Sequence, residues 1–426
     1  MMEKKTIIKG VCFAAGFIAA AACLSGVVGG KDVRYRPMKP EGQELSRDDI
    51  EYLSVQAPEA SSKDGTVNAA DWESTYPYIV ASMGANGDNS YAVDYLEQDP
   101  YLVNIYEGYG FAKDYMSARG HNYCLEDVAA TARPHGQAKC LTCKTPNFTK
   151  MVQDLGVGVY QMDFEEVYAK MEENPSCYTC HGNNAGNGGK LEVTHTYVSK
   201  NLGENVSSID SATLSCGQCH IEYFFYPGTD ETTMPYSSVA EMTPTAILAY
   251  YDSIGFSDWT QESTGANLLK AQHPEMETYL QGKHASMLNC ADCHMELVQE
   301  KDGTVYHSHT FESPLENENL LKVCVQCHGD KNMTTYVKSI QDEVTARETE
   351  VGNKLSDFKD SLAAAVAGGT KNEEELNKLR KIYREAQWYF DFCYVENSEG
   401  AHNSSLAKEC LNTAEMKIRE GMELLV

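Results

Sequence analysis

Ten of the fifteen cysteines in this 426-residue chain fall into five Cys-x-x-Cys pairs. Four pairs are followed at once by histidine: Cys177-Tyr178-Thr179-Cys180-His181, Cys216-Gly217-Gln218-Cys219-His220, Cys290-Ala291-Asp292-Cys293-His294 and Cys324-Val325-Gln326-Cys327-His328. Such a run attaches c-type haem: the two thiols bind the porphyrin edge and the next residue reaches the iron. One match alone is modest, because Cys-x-x-Cys also serves zinc and redox dithiols. Four in one chain, with no second pair suited to a zinc ribbon, point to haem. The fifth pair, Cys140-Leu141-Thr142-Cys143-Lys144, ends in lysine. An amine with an ordinary pKa near ~10.4 binds iron only after losing its proton, so this site needs a local reason to exist. Within a series of haem sites it reads as a fifth, specialised haem rather than a chance pair before a surface lysine.

Histidine supply agrees. Of twelve histidines, His181, His220, His294 and His328 are proximal candidates. Six-coordinate electron carriers need four more ligands, and His or Met serves. The other eight are His121, His135, His195, His273, His284, His307, His309 and His402, and their number alone does not say which ligate.

The frame that positions these groups reads as mainly α, a multihaem cytochrome c with long C-terminal helices. The length suits two or three ordinary domains, or one large unit filled by cofactors. Lys4, Lys5 and Lys9 precede an uncharged run over residues 10–30, with Ala20-Ala21-Ala22 as a cleavage site. That is a signal peptide or an N-terminal membrane anchor, with Cys23 as a third, lipidated option. The chain is therefore expected outside the cytoplasm, periplasmic or on the outer face of the cytoplasmic membrane. Residues 31–335 read as a pentahaem catalytic domain, polar and extended to about Lys63, with residues 182–189 as a flexible insert. Residues 336–426 read as a helical dimerisation region. Val337, Ile340, Val344, Val351, Leu355, Phe358 and Leu362 recur at helical spacing. Gly368-Gly369 ends that helix, Thr370 with Glu373 resembles a capping box opening a second one to about Phe392, and a third follows His402. Cys12, Cys23, Cys124, Cys393 and Cys410 are too scattered for a disulfide framework. The formal net charge of −27 argues against nucleic acid and anionic membranes as partners. An anionic substrate would need a locally positive entrance.

Several runs together resemble the ammonia-forming cytochrome c nitrite reductases, a pentahaem family with lysine on its catalytic haem. They are Arg119-Gly120-His121, Cys140 to Lys144, Cys216 through Ile221-Glu222-Tyr223, Phe256-Ser257-Asp258-Trp259, Leu269-Lys270-Ala271-Gln272-His273-Pro274-Glu275 and Ala386-Gln387-Trp388. The resemblance covers roughly Trp72 to the C-terminus. It implies five covalent haem c groups, with Lys144 as proximal ligand of an open-sided haem and Arg119, Tyr223 and His273 as distal catalytic residues. It implies His121, His284, His309 and His402 as distal ligands of the other haems. It also implies a calcium held by the Glu222 side chain, the Tyr223 and Lys270 carbonyls and the Gln272 side chain. Expected partners are nitrite, a membrane quinol-oxidising multihaem cytochrome as electron donor, and a second copy of the chain.

The chemistry is coherent. Nitrite nitrogen passes from +3 to −3 on becoming ammonium, so six electrons must reach one atom. Arg119 and His273 suit holding an anion and giving protons, and Tyr223 suits a hydrogen bond or an electron-coupled proton. Calcium prefers such oxygen donors and would raise the potential at the entrance. On residues alone, Arg119 serves equally as a partner for a haem propionate and Tyr223 as haem packing. Two rival functions stand beside nitrite reduction: a non-catalytic multihaem electron carrier, and a related enzyme acting on hydroxylamine or sulfite.

Overall fold

The computed structural model describes residues 44–85, 91–134, 136–329 and 331–426. The targeting segment with Cys12 and Cys23, and His135, lie outside them. Helices dominate, and the described strands form three two-stranded antiparallel hairpins.

Two of the haem-attachment motifs are whole helices. Cys177–His181 is capped by Ser176, whose hydroxyl and main chain trade hydrogen bonds with Thr179. Cys290–His294 is capped in the same reciprocal way by Asn289 and Asp292. Numbered in chain order from Cys140–Lys144, the fifth motif, Cys324–His328, ends the longer Glu318–His328 helix, and the third, Cys216–His220, straddles the end of Ser211–Gly217. A helix brings residues three and four apart onto one face. Both cysteines and the histidine of a motif therefore address one object.

The third motif has a close-packed neighbour. A Cβ at Gly217 would run into the Met276 sulfur, so the glycine lets the 275–280 helix lie against the attachment site. Residues 182–189, expected to be a flexible insert, are instead pinned by main-chain bonds from Val55 N to Gly186 O (2.8 Å) and from Gly188 N to Leu53 O (2.8 Å). Here the polar N-terminal stretch supplies an edge that the insert pairs with.

Three long helices follow: Met333–Gly368, Glu373–Tyr394 and Ser404–Leu425. The first ends at Gly369 in the left-handed region, as glycine allows. The second is capped by Asn372 with Glu375, two residues beyond the expected Thr370 box. The apolar stripe requires a larger correction. Val344, Val351, Leu355, Phe358 and Leu362 are buried within the chain's own core with Leu379, Tyr383 and Leu411. These five pack the subunit's own core, whereas Val337 and Ile340 of the same stripe are half-buried.

Two compact units emerge. One takes in Leu297–His307 with the described residues 44–51; the other runs over Tyr52–Glu296 and Ser308–Val426, so the long helices share a unit with all five motifs. In the first, a hairpin pairs Leu297 with His307 and Gln299 with Val305. No helix among the described residues is long and apolar enough to cross a membrane.

Candidate active site

No disulfide joins the thirteen cysteines among the described residues, so all ten motif thiols are free, as are Cys124, Cys393 and Cys410. Thiols of different motifs touch: Cys143 with Cys219, and Cys216 with Cys290. The attachment points of the first, third and fourth motifs are thus contiguous. His195 adds a ring nitrogen, and the three ligand atoms of Cys143, His195 and Cys219 lie within 4.8 Å of one another. Such a trio suits zinc in isolation. Each thiol, however, is the second of a separate Cys-x-x-Cys pair, and His195 is engaged with the Thr142 carbonyl at 3.1 Å.

Several of the other histidines are spaced as two ligands of one iron would be. An imidazole nitrogen sits about 2 Å from a metal, so two rings on opposite sides of one iron have centroids roughly 6 Å apart. His284 and His328 lie 5.9 Å apart, His294 and His402 6.2 Å, and His121 and His220 6.4 Å. His273 also lies 6.4 Å from His220, and the Lys144 charge bears on it. The His309 ring meets Phe311 at 5.5 Å, and the His309 main-chain N–H donates to Ser82 Oγ. His181 and His294 engage main-chain carbonyls of Lys190 (2.8 Å) and Glu312 (2.9 Å) through Nδ1. This leaves Nε2 for a metal, the usual outer-shell arrangement of a ligating histidine.

Lys144 follows a turn closed by its own N–H on the Leu141 carbonyl (3.0 Å). Its partly buried amine makes no hydrogen bond or ion pair with the described residues, and its charge bears on His121, His273 and Cys143. Gly120, at φ 112°, makes the turn between Arg119 and His121 that a side chain would strain. Arg119 is not open. Its Nε donates to Asp127 Oδ1 at 2.8 Å, Nη2 pairs with Asp127 and with Glu126, and the guanidinium lies 4.0 Å over the Tyr123 ring. Burial raises the Tyr223 phenol well above its ordinary value, so its O–H stays available as a hydrogen-bond donor.

His273 stands on a segment whose main chain is clamped residue by residue. Gln387 takes both polar groups of Leu269, accepting from N (3.3 Å) and donating to O (2.7 Å). Lys270 N donates to Asp258 (2.8 Å), Ala271 N to Asp391 (2.7 Å) and Gln272 N to Glu222 (2.6 Å). Lys270 Nζ is buried against Asp391, 3.2 Å from both oxygens, inside a box of Tyr106, Phe111 and Tyr115 rings. The sequence assigned only the Lys270 carbonyl and gave Asp258, Gln387, Asp391 and Asp127 no role. Asp258 and Gln387 lay inside the matched runs and were findable there; Asp391 carries no local signal.

The residues fit a hard cation. Glu222 accepts from Gln272 N and, at 2.8 Å, from the Tyr251 hydroxyl, while Gln272 Nε2 donates to the Lys270 carbonyl at 2.9 Å. Three of the four expected ligand groups therefore meet, with the Tyr223 carbonyl adjacent in the chain. Glu222, Glu277 and Asp391 are buried and Asp258 is half-buried; Lys270 bears on Glu222, Asp258 and Asp391, and Glu277 Oε2 has no hydrogen-bond partner among the described residues. Burial pushes Glu222 well above the carboxylate range and Asp258 and Glu277 to about 7. A divalent cation would correct that imbalance.

The family model described as cytochrome c552 matches residues 67–426. The chain belongs to the cytochrome c552 family. It is 30 % identical over 396 residues to cytochrome c-552 of Desulfotalea psychrophila, covering 85 % of this chain and 75 % of that one. It superimposes with a TM-score of 0.74, at 25 % identity, on the catalytic subunit of cytochrome c nitrite reductase from Desulfovibrio desulfuricans, described with two calcium sites. That match covers 84 % of this chain and 86 % of the other. The resemblance read from the motifs and the multihaem fold both hold.

Proposed function

We propose that this oxidoreductase of the cytochrome c nitrite reductase family reduces nitrite to ammonium with six electrons and eight protons, releasing two waters. The observation that carries it is Lys144, an amine without a hydrogen-bonding partner among the described residues, where the other four motifs have histidine. Haem bound at the five motifs would supply one-electron couples, with Lys144 as the residue that would hold the iron at the first. The ring pairs support His121 with His220, His284 with His328 and His294 with His402 as the residues that would hold three haem irons, leaving His309 for His181.

The chain's own residues do the rest. Asp127 orients the Arg119 guanidinium, whose charge holds the anion against the net −27 of the chain. His273 and Tyr223 donate protons as N–O bonds break. The clamp over residues 269–272 keeps His273 at a fixed place, which favours oriented proton transfer. Calcium on Glu222, Gln272 and the Tyr223 and Lys270 carbonyls would stiffen the same segment and add positive charge. Export, a homodimer joined through faces other than the Val344–Leu362 stripe, and a membrane quinol-oxidising multihaem cytochrome as donor complete the proposal.

The test is turnover with a reduced dye and nitrite, hydroxylamine or sulfite, measuring ammonium or sulfide. Ammonium from nitrite in equal amount, at a higher kcat/KM than either alternative gives, supports the assignment. No turnover with any of the three leaves a pure electron carrier.

A further inference from the structure

His181 and His294 lend Nδ1 to neutral main-chain carbonyls, whereas His402 meets a carboxylate, Glu396 Oε1, at 2.7 Å. Glu396 is itself buried, its side chain 4 % exposed. It sits in the loop between the Glu373–Tyr394 and Ser404–Leu425 helices, and its geometry is closed on every side. Ser398 Oγ donates to the other carboxylate oxygen at 2.6 Å, and His402 N donates back to Ser398 Oγ at 2.9 Å. Gln341, from the Met333–Gly368 helix, holds the Ser398 carbonyl at 3.2 Å. Loop, histidine and carboxylate thus form one ring of hydrogen bonds.

We infer that Glu396 is a positioning residue for His402, fixing its ring and lowering the midpoint potential of the haem attached at Cys290 and Cys293. A buried carboxylate on Nδ1–H draws that proton toward itself and raises electron density at Nε2. A more basic ligand favours ferric over ferrous iron, and it does so more strongly where the dielectric is low. A carbonyl, as at His294, does this less. The haem affected occupies a relay position, since Cys290 touches Cys216 of the third motif and Cys293 interacts with Cys324 of the fifth. A lowered potential there passes electrons on rather than storing them. The inference rests on the proposed axial pairing of His294 with His402.

The experiment is a potentiometric titration of the five-haem holoprotein, with electron paramagnetic resonance to assign each haem, on wild type, Glu396→Gln, Glu396→Asp and His402→Ala. Glu396→Gln keeps the shape and removes the charge. It is expected to raise the reduced-to-oxidised ratio of one low-spin haem about tenfold at fixed potential, or about 59 mV for a one-electron couple. Glu396→Asp keeps the charge and should shift that haem less. Intact mass showing five haems in each variant establishes that the fold survived. A change under about threefold in Glu396→Gln, or a larger one in Glu396→Asp, overturns the inference while the ligand assignment stands. A His402→Ala protein that keeps every low-spin signal overturns the ligand assignment, and the inference falls with it.

Discussion

Replacing Asp391 by alanine is the sharpest test of how the site is held. Its side chain and that of Lys270 are 0 % and 1 % exposed. Removing one partner of such a pair strands a buried charge, at a cost of about 3–5 kcal/mol. Asp391 also accepts from Ala271 N and from the Tyr106 hydroxyl. Each buried donor left without an acceptor costs about 1–3 kcal/mol more. The sum, roughly 5 kcal/mol or above, is a large share of the ~5–15 kcal/mol that holds an ordinary domain together. Adding Lys270→Met removes the stranded ammonium but not the two orphaned donors. The double variant should then recover about 3 kcal/mol, a coupling that a double-mutant cycle reads directly. Guanidinium titration of the holoprotein, followed by far-ultraviolet circular dichroism, measures all four corners. An Asp391→Ala protein within about 1 kcal/mol of wild type, or a cycle with no coupling, would refute the buried-clamp argument.

Glu348 gives a pH test away from the haem ligands. Burial, ahead of neighbouring acids, pushes its carboxyl to about 8, where it contacts Cys393 at 3.4 Å. The folded state therefore holds a proton that the unfolded chain releases near 4.5. That stability is fully present below pH 4.5 and is lost as pH rises toward 8, on the order of 4 kcal/mol. Glu348→Gln should flatten the fall; unfolding curves at pH 6 and pH 8 with the same slope in both proteins would contradict it. Glu222→Ala should lower bound calcium and turnover while five haems remain attached, read by metal analysis and intact mass; unchanged calcium removes the site from Glu222. Leu355→Glu places a charge at a fully buried position and should lose fold and haem spectrum together. A well-folded monomer, seen by sedimentation, would instead return that stripe to an interface.

The chemistry was legible because haem attachment is local: two thiols and a ligand within five residues, and one lysine that breaks the series. The long helices were legible from the spacing of Val344, Val351 and Leu355, but periodicity does not say what an apolar face meets. The face meets its own subunit, since the two following helices fold back across it. Asp391 and Glu396 were invisible because their partners, Lys270 and His402, are recognised only once the chain has folded. Residues 182–189 looked loose because glycine-rich composition hides pairing with a distant edge, here Leu53 and Val55. The proposed pairing of histidines was likewise beyond sequence, for it would join residues as far apart as His294 and His402.

On the proposed function, the Cys140–Lys144 turn carries the haem that nitrite reaches. Electron paramagnetic resonance of the oxidised holoprotein, recorded with and without nitrite, tests it most directly. Four low-spin bis-histidine haems indifferent to nitrite, and a fifth whose signal changes on adding it, are the expected result. Five haems that all ignore nitrite, or four haems with free thiols at Cys140 and Cys143, would contradict it.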